Sequence, residues 1–391
     1  MTDHLRALEF RIVTEQSDVF SIVDDWRRLL AESADPETMM EPSWLLGWWR
    51  QYGAGVELAV GQLFDGDRFV GFAPLCIRRY SYCLGLSFRR LQFMGVDADD
   101  KDGICSMYMG FIAAKGYERI VEEAFIDHIV AGDFGDAHEI MLGPMRSALP
   151  QSNRMKQLFQ ERGLRCEEKR PTTNFYVTLA DTWNDYLSSL PSTRRSHITA
   201  MIANFESWAS ERGGWTLDRA TSAAEVEAAS STLISLQNER LSPRFLAFQR
   251  EYLASQTPSE QIELATLRVA GAPVACMYTI RNGTSVLAYH YGGAAVPGLD
   301  IGVTMSALMI MRAIARGDSA FDFLGGGFGY EAEFATDERA VCSLRAVRPT
   351  WRETVRLSLI DARDAARAAV QTGQSLARKY PFGSMWNPAQ R

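Results

Sequence analysis

The chain has 391 residues, enough for two ordinary cores, with 47% apolar and 23% charged side chains. That composition excludes wholesale disorder. A formal net charge of −7 argues against a protein built around phosphate-backbone contacts, and so against DNA as a partner.

In chain order, Leu8 to Val13 alternates like a strand, and Val19 to Leu30 has helical spacing with Asp18 placed as N-cap. Pro42 introduces an aromatic helix, Trp44-Leu45-Leu46-Gly47-Trp48-Trp49. Strands are predicted over Val56 to Phe64, Phe69 to Arg78 and Arg89 to Met94, the first two joined by the turn Asp65-Gly66-Asp67. Gly116 to Val130 reads as an amphipathic helix and Ala137 to Leu142 as a buried strand. Asn153 to Gly163 reads as a helix, and Arg165 to Leu179 as extended chain. Asp181 to Trp208 reads as helices that bridge to a second pass. That pass has a strand at Trp215 to Arg219, then helices at Ala223 to Arg240 and Phe245 to Ala254. Strands follow at Ile262 to Val269, Val274 to Arg281 and Ser285 to Tyr291. Ile301 to Arg316 is a helix, Ala320 to Leu324 and Val341 to Val347 are strands, and Trp351 to Lys379 is a terminal helix.

The two passes match in order. The aromatic helix at Trp44 answers Phe245 to Tyr252, and Val70-Gly71-Phe72-Ala73-Pro74 answers Val274-Ala275-Cys276-Met277-Tyr278. The helix-then-strand pair from Gly116 to Gly143 answers Ile301 to Gly325. The inference is a duplicated α/β unit, each copy a mixed sheet flanked by helices. The expected division is 1–180, a bridge at 181–212, 213–350, and a basic tail at 351–391.

The most informative stretch is Phe321-Asp322-Phe323-Leu324-Gly325-Gly326-Gly327-Phe328-Gly329-Tyr330-Glu331: a short buried strand with one acid, a glycine-rich exit, then a phenol. Asp322 is a candidate base or, alternatively, a cap on the following loop. Tyr330 is a candidate acid or an aromatic plug over the sheet end. His290 lies between Tyr289 and Tyr291, and alternation puts it on the face opposite both, so either the histidine or the tyrosine pair faces a cleft. The copy in the first half ends in Gly143-Pro144-Met145, without a tyrosine, which points to the second half as the active one.

With these residues in place, the chain resembles the duplicated GNAT acetyltransferases of the BioF2-like group, which includes CelD-type proteins of bacterial exopolysaccharide clusters. Four features carry it: the helix after Pro42, Val70-Gly71-Phe72-Ala73-Pro74-Leu75, Leu190-Pro191-Ser192-Thr193-Arg194-Arg195, and Gly317 to Gly325 with Tyr330. Members usually follow that tyrosine with lysine; here Glu331 stands instead. The resemblance implies an α/β fold of tandem GNAT-like domains related to the Fem transferases. It also implies acetyl-CoA or another acyl-CoA as donor, and an amino sugar or similar glycan precursor as acceptor. It implies a donor pyrophosphate at the segment holding Gly292, Gly293, Gly298, Ile301 and Gly302, where helix N-terminal amides favour anions. Asp300 at that helix start would repel phosphate unless it only caps. Asp322, Tyr330 and His290 are the catalytic candidates, and Arg194, Arg195, Tyr289, Tyr291 and Glu331 the acceptor-side ones. A Fem-like use of aminoacyl-tRNA, or a regulatory protein whose clefts have decayed, are the alternatives.

From Arg345 onward, nine Lys and Arg stand against three Asp and Glu. Arg348, Arg352 and Arg356 recur every fourth residue, on one face of a helix, and suit a cyclic dinucleotide or an anionic membrane surface; a solvent-facing helix side that also pairs with the acidic body is the alternative. The six cysteines form no C-x-x-C pair and no metal-ligand spacing, so a reducing compartment without a metal is expected. With no apolar run near about 18 residues and a charged start, the expected place is the cytoplasm, with peripheral contact at the inner membrane through the tail.

Overall fold

The computed structural model describes residues 8–82, 85–96, 106–147, 150–237, 241–256, 260–325, 329–360 and 362. In the first half, β1 (Glu9–Val13) leads into α1 (Gln16–Ser21) and α2 (Val23–Glu32), and then the aromatic α3 (Pro42–Tyr52). Next come β2 (Glu57–Leu58), β3 (Val60–Asp65), β4 (Arg68–Ala73), β5 (Leu75–Ser81) and β6 (Ser87–Phe93). The half closes with β7 (Ile112–Ala113), α4 (Glu118–Ala131), β8 (Glu139–Arg146), α5 (Pro150–Glu161) and β9 (Arg165–Thr178). Helices α6 (Trp183–Ser189) and α7 (Ser192–Ser210) follow. The second half has β10 (Trp215–Arg219), α8 (Ala223–Leu236), α9 (Pro243–Gln256), β11 (Ile262–Val269), β12 (Ala272–Asn282) and β13 (Ser285–Gly293). It continues with α10 (Ile301–Arg316), β14 (Ala320–Asp322), α11 (Glu331–Phe334) and β15 (Asp337–Val347). A last helix, α12, occupies 351–360; the rest of the tail, with Gly326, Gly327 and Phe328, lies outside the described residues.

Eleven strands form one sheet, in the order β10-β11-β12-β13-β14-β9-β15-β8-β6-β5-β2, and β1-β3-β4-β7 form a second. The expected sheet per half is thus revised to one large sheet shared by both halves. Two local reasons are visible. Pro74 has no N–H to give a ladder, so the predicted strand from Phe69 to Arg78 breaks there into β4 and β5, which belong to different sheets. And β9 and β15, the last strand of each half, exchange places: β9 pairs with β14 and β15, and β15 pairs with β8.

The repeat is plain in the parallel pairs. Each half has one, β6 with β8 and β13 with β14, each paired over three residues and each crossed by a helix, α4 or α10. The two aromatic helices the sequence paired pack on each other, the Trp44 ring centroid 5.0 Å from that of Phe248 and 4.8 Å from that of Tyr252, both pairs near perpendicular. Start and stop signals hold α8 and α10. Ser222 and Glu225 form a reciprocal capping box on α8. Asp300 accepts from Val303 N at the start of α10, and Gly317 closes it with φ 79°. No described helix is long and apolar enough to cross a membrane.

Candidate active site

Strands β13 and β14 separate. They pair only from Ser285–Ala320 to Leu287–Asp322, while β13 continues against β12 as far as Gly293. The chain after β14 follows its other neighbour instead, with Phe323 N donating to Phe175 O of β9 at 2.9 Å. Beyond Leu287, no described strand pairs with the β14-facing edge of β13. An extended edge of this kind accepts backbone-like amides from a ligand.

Asp322 sits where the strands part. Its side chain is fully buried. Oδ1 accepts Leu324 N at 2.8 Å, turning the chain back on itself, and Leu324 holds φ 55°. Oδ2 accepts the Tyr108 hydroxyl at 2.6 Å and Arg339 Nη1 at 3.0 Å. Tyr108, also at positive φ (60°), is held in turn by Asn174 Nδ2 at 3.0 Å. Burial raises the Asp322 pKa, and the donors around it offset this in part. Tyr108, from the first half, was missed in the sequence: a phenol far away in the chain gives no local signal.

The helix that follows β13 begins beside this opening. Asp300 caps α10, as the sequence allowed. Tyr330 ends the glycine-rich loop at the first residue before α11 and lies on the first turn of α10. A Cβ built on Gly302 would stand 2.7 Å from Tyr330 Cε1, so only glycine lets the ring approach. The Tyr291 ring is 6.2 Å from that of Tyr330, nearly edge-on. Burial pushes the Tyr330 phenol far above its ordinary pKa, which keeps it a proton-bearing donor at neutral pH. Glu331 is buried at the start of α11. Arg194, half-buried on α7, donates to Ala335 O at 3.2 Å just past α11; Arg195 is half-buried beside it.

The expected alternation around His290 is corrected. Tyr278 pairs with His290 but Thr279 pairs with Ala288, so Tyr289 is an extra residue in a β-bulge. The bulge brings Tyr289 and His290 together, ring centroids 4.5 Å apart, on the side of α9, where Phe245 meets His290 at 5.0 Å. Tyr291 alone faces Tyr330. Gly292 and Gly293 belong to β13 rather than to a loop, opposite Cys276 and Ala275. At Gly292 a Cβ would meet Leu233 O at 2.8 Å, so that glycine admits the end of α8. Gly298, at φ 79°, makes the tight turn bridged by Val296 and Leu299.

In the tail, the three arginines divide. Arg356 is buried, holding Glu353 through Nε and Nη2 at 2.7 Å each. Arg352 reaches Ser87 O at 3.4 Å, and Arg348 donates to Val130 O. Glu353 also accepts from Arg345, which reaches Glu139. Burial works against the Glu353 charge, yet the two arginines bring its pKa down to about 2. Of the three, Arg356 turns inward to an ion network, Arg352 stays half-buried on α12, and Arg348 is exposed ahead of the helix rather than on its face.

Residues 194–332 match the model of the GNAT acetyltransferase domain. This gives the second half a GNAT acetyltransferase domain and, with the parted strands and the duplicated order of elements, the chain a tandem GNAT-like fold. Among solved structures, FemX superposes at a TM-score of 0.57 with 10% identity, covering 86% of this chain and 96% of that one. The C-terminal DUF2156 domain of a putative lysylphosphatidylglycerol synthetase from Agrobacterium fabrum superposes at 0.50 with 12% identity, covering 88% and 96%. Both likenesses are of fold. No curated protein matches the chain in sequence.

Proposed function

We propose that the chain moves an acyl group, acetyl first, from an acyl-CoA to the amine of an amino sugar or related precursor of a bacterial cell-surface polysaccharide. One observation carries the reading: β13 runs on past its last pair with β14, where no described strand joins that edge, beside the first turn of α10, with Tyr330 on that turn. The edge suits the amides of a pantetheine arm. The amides of the first turn of α10 suit a pyrophosphate, although the cap by Asp300 takes Val303 N. The thioester supplies the activated carbonyl. The amine nitrogen bonds to that carbonyl carbon as its C–S bond breaks; Tyr330 gives its phenolic proton to the departing thiolate and is reprotonated by the proton the new ammonium sheds through solvent. Asp322 keeps the strands apart through Leu324, Tyr108 and Arg339; this reading moves it from base to positioning residue.

The likeness of fold to FemX supports a second reading, transfer from an aminoacyl-tRNA. The net charge of −7 weighs against it, because tRNA calls for a broad basic face. Thiol release from acetyl-CoA over a panel of amino sugars tests the first reading. Tyr330→Phe is expected to lower turnover about a hundredfold with folding intact. An undiminished rate in that variant removes Tyr330 from the chemistry, and transfer only from charged tRNA replaces the first reading with the second.

A further inference from the structure

The last helix carries its polarity inside out. On α12, Glu353 and Arg356 are 4% and 3% exposed, while Trp351 is 67% and Val355 39% exposed. Glu353 and Arg356 are committed to the ion network with Arg345 and Glu139, so the fold behind the helix fixes which side faces in. Trp351 and Val355 lie one turn apart on the outward side. Trp351 is more exposed than any other large apolar side chain among the described residues. Burying ions while leaving an indole and a valine in water forgoes apolar burial, and an apolar cover would recover it.

Charge says what kind of cover fits. Arg348 is exposed just before the helix, and the Arg352 guanidinium lies 5.0 Å from the Trp351 ring centroid. Glu167, an acid that approaches Arg356 at 4.0 Å, is held by Lys169 at 3.0 Å. From Arg345 on, nine basic residues stand against three acidic ones in a chain of net −7, so the preceding 344 residues carry −13. Such a separation of charge turns this end toward an anionic surface and the rest of the molecule away from it. Tryptophan beside arginine also suits the boundary of a bilayer, where the indole enters the headgroup layer and guanidiniums meet phosphates. A second copy of the chain fits less well. Trp351 and Val355 bare on the order of 250 Å², short of the roughly 800 Å² that each partner buries in a stable complex.

We infer that α12 docks the protein on an anionic membrane surface, with Trp351 and Val355 entering the headgroup layer and Arg348 and Arg352 meeting lipid phosphates beside them. The contact lies along the bilayer, since no described helix is long and apolar enough to cross it. It differs from the arginine stripe expected of the sequence: Arg356 faces inward to Glu353, and the apolar side of the helix leads. The inference does not depend on the acyl-transfer reading.

Flotation of the full chain with lipid vesicles tests it, phosphatidylcholine alone against equal parts of phosphatidylcholine and phosphatidylglycerol. Binding to the mixed vesicles is expected to be about tenfold or more tighter than to the neutral ones, and to weaken as salt rises. Trp351→Gln leaves the charge unchanged and should weaken binding about tenfold, and Val355→Gln about threefold. Trp351→Gln should keep the wild-type Tm because the ring is mostly in water; Val355→Gln decides alone if it does not. No flotation with either vesicle, equal flotation with both, or wild-type binding in the folded variants overturns the inference. Sedimentation equilibrium is run in parallel. A dimer that Trp351→Gln abolishes, without flotation of the wild type, gives the face to a second copy and overturns the membrane reading as well.

Discussion

Replacing Asp322 with asparagine changes one atom and should unsettle the junction of the two halves. In the wild type, Oδ2 accepts from both Tyr108 OH and Arg339 Nη1 while Oδ1 accepts from Leu324 N. The Tyr108 oxygen already accepts from Asn174, so its proton is committed to Asp322. In the variant, either the new NH₂ faces Tyr108 and Arg339 as a donor against donors, or the flipped amide loses Leu324. A hydrogen bond to a charged group contributes about 1.5–3 kcal/mol, and breaking a buried pair costs about 3–5 kcal/mol. Arg339 is 24% exposed and keeps some water, which places the loss near the low end, about 3 kcal/mol. At a urea dependence of about 3 kcal/mol per molar, the midpoint falls by about 1 M. Urea unfolding followed by fluorescence reads this directly, and hydrogen exchange should quicken first in β14 and around Leu324. A midpoint within about 0.2 M of wild type, with turnover abolished, would show that the carboxylate serves chemistry and not the junction.

Gly302→Ala should displace the Tyr330 ring from the first turn of α10, because the added Cβ would lie 2.7 Å from Cε1. Turnover is expected to drop about tenfold or more with the fold retained, and unchanged kinetics would detach Tyr330 from that turn. His290 supplies a pH signature. An unfolded histidine takes its proton below pH 6.5, whereas burial delays this in the folded chain to about 4, so stability is lost as pH falls through that window. Relative to His290→Asn, the wild type should lose about 2 kcal/mol more between pH 6.5 and about pH 5; parallel urea midpoints in the two proteins would contradict it. Glu353→Gln leaves Arg345 and Arg356 without their shared carboxylate and should cost about 3 kcal/mol. Hydrogen exchange over 351–360 should then speed up while α10 keeps its protection, and equal protection of both helices would count against the network.

Much of the architecture was legible because its signals are local. β10, β11 and α10 were bounded correctly from apolar periodicity, turns and caps. The duplication showed in the order of elements, and the two aromatic helices paired in the sequence pack on each other through Trp44, Phe248 and Tyr252. What escaped was non-local or irregular. The bulge at Tyr289 breaks the alternation on which the facing of His290 was judged, and nothing in Tyr289-His290-Tyr291 announces an extra residue. Tyr108 meets Asp322 across the sheet, a contact that no spacing along the chain encodes. Arg352 and Arg356 lie on α12 but Arg348 stands before it, and burial depends on which acids wait nearby: Arg356 meets Glu353, and Arg345 meets Glu353 and Glu139.

The exchange of β9 and β15 makes the duplication irreversible. Whatever ancestral unit was copied, neither descendant now owns a finished sheet: severing the chain between α6 and α7 would strip β14 of one neighbour and β8 of another, baring two hydrogen-bonding borders apt to aggregate. Partnership between the halves is thus a condition of folding, and each copy serves as a splint for its sibling.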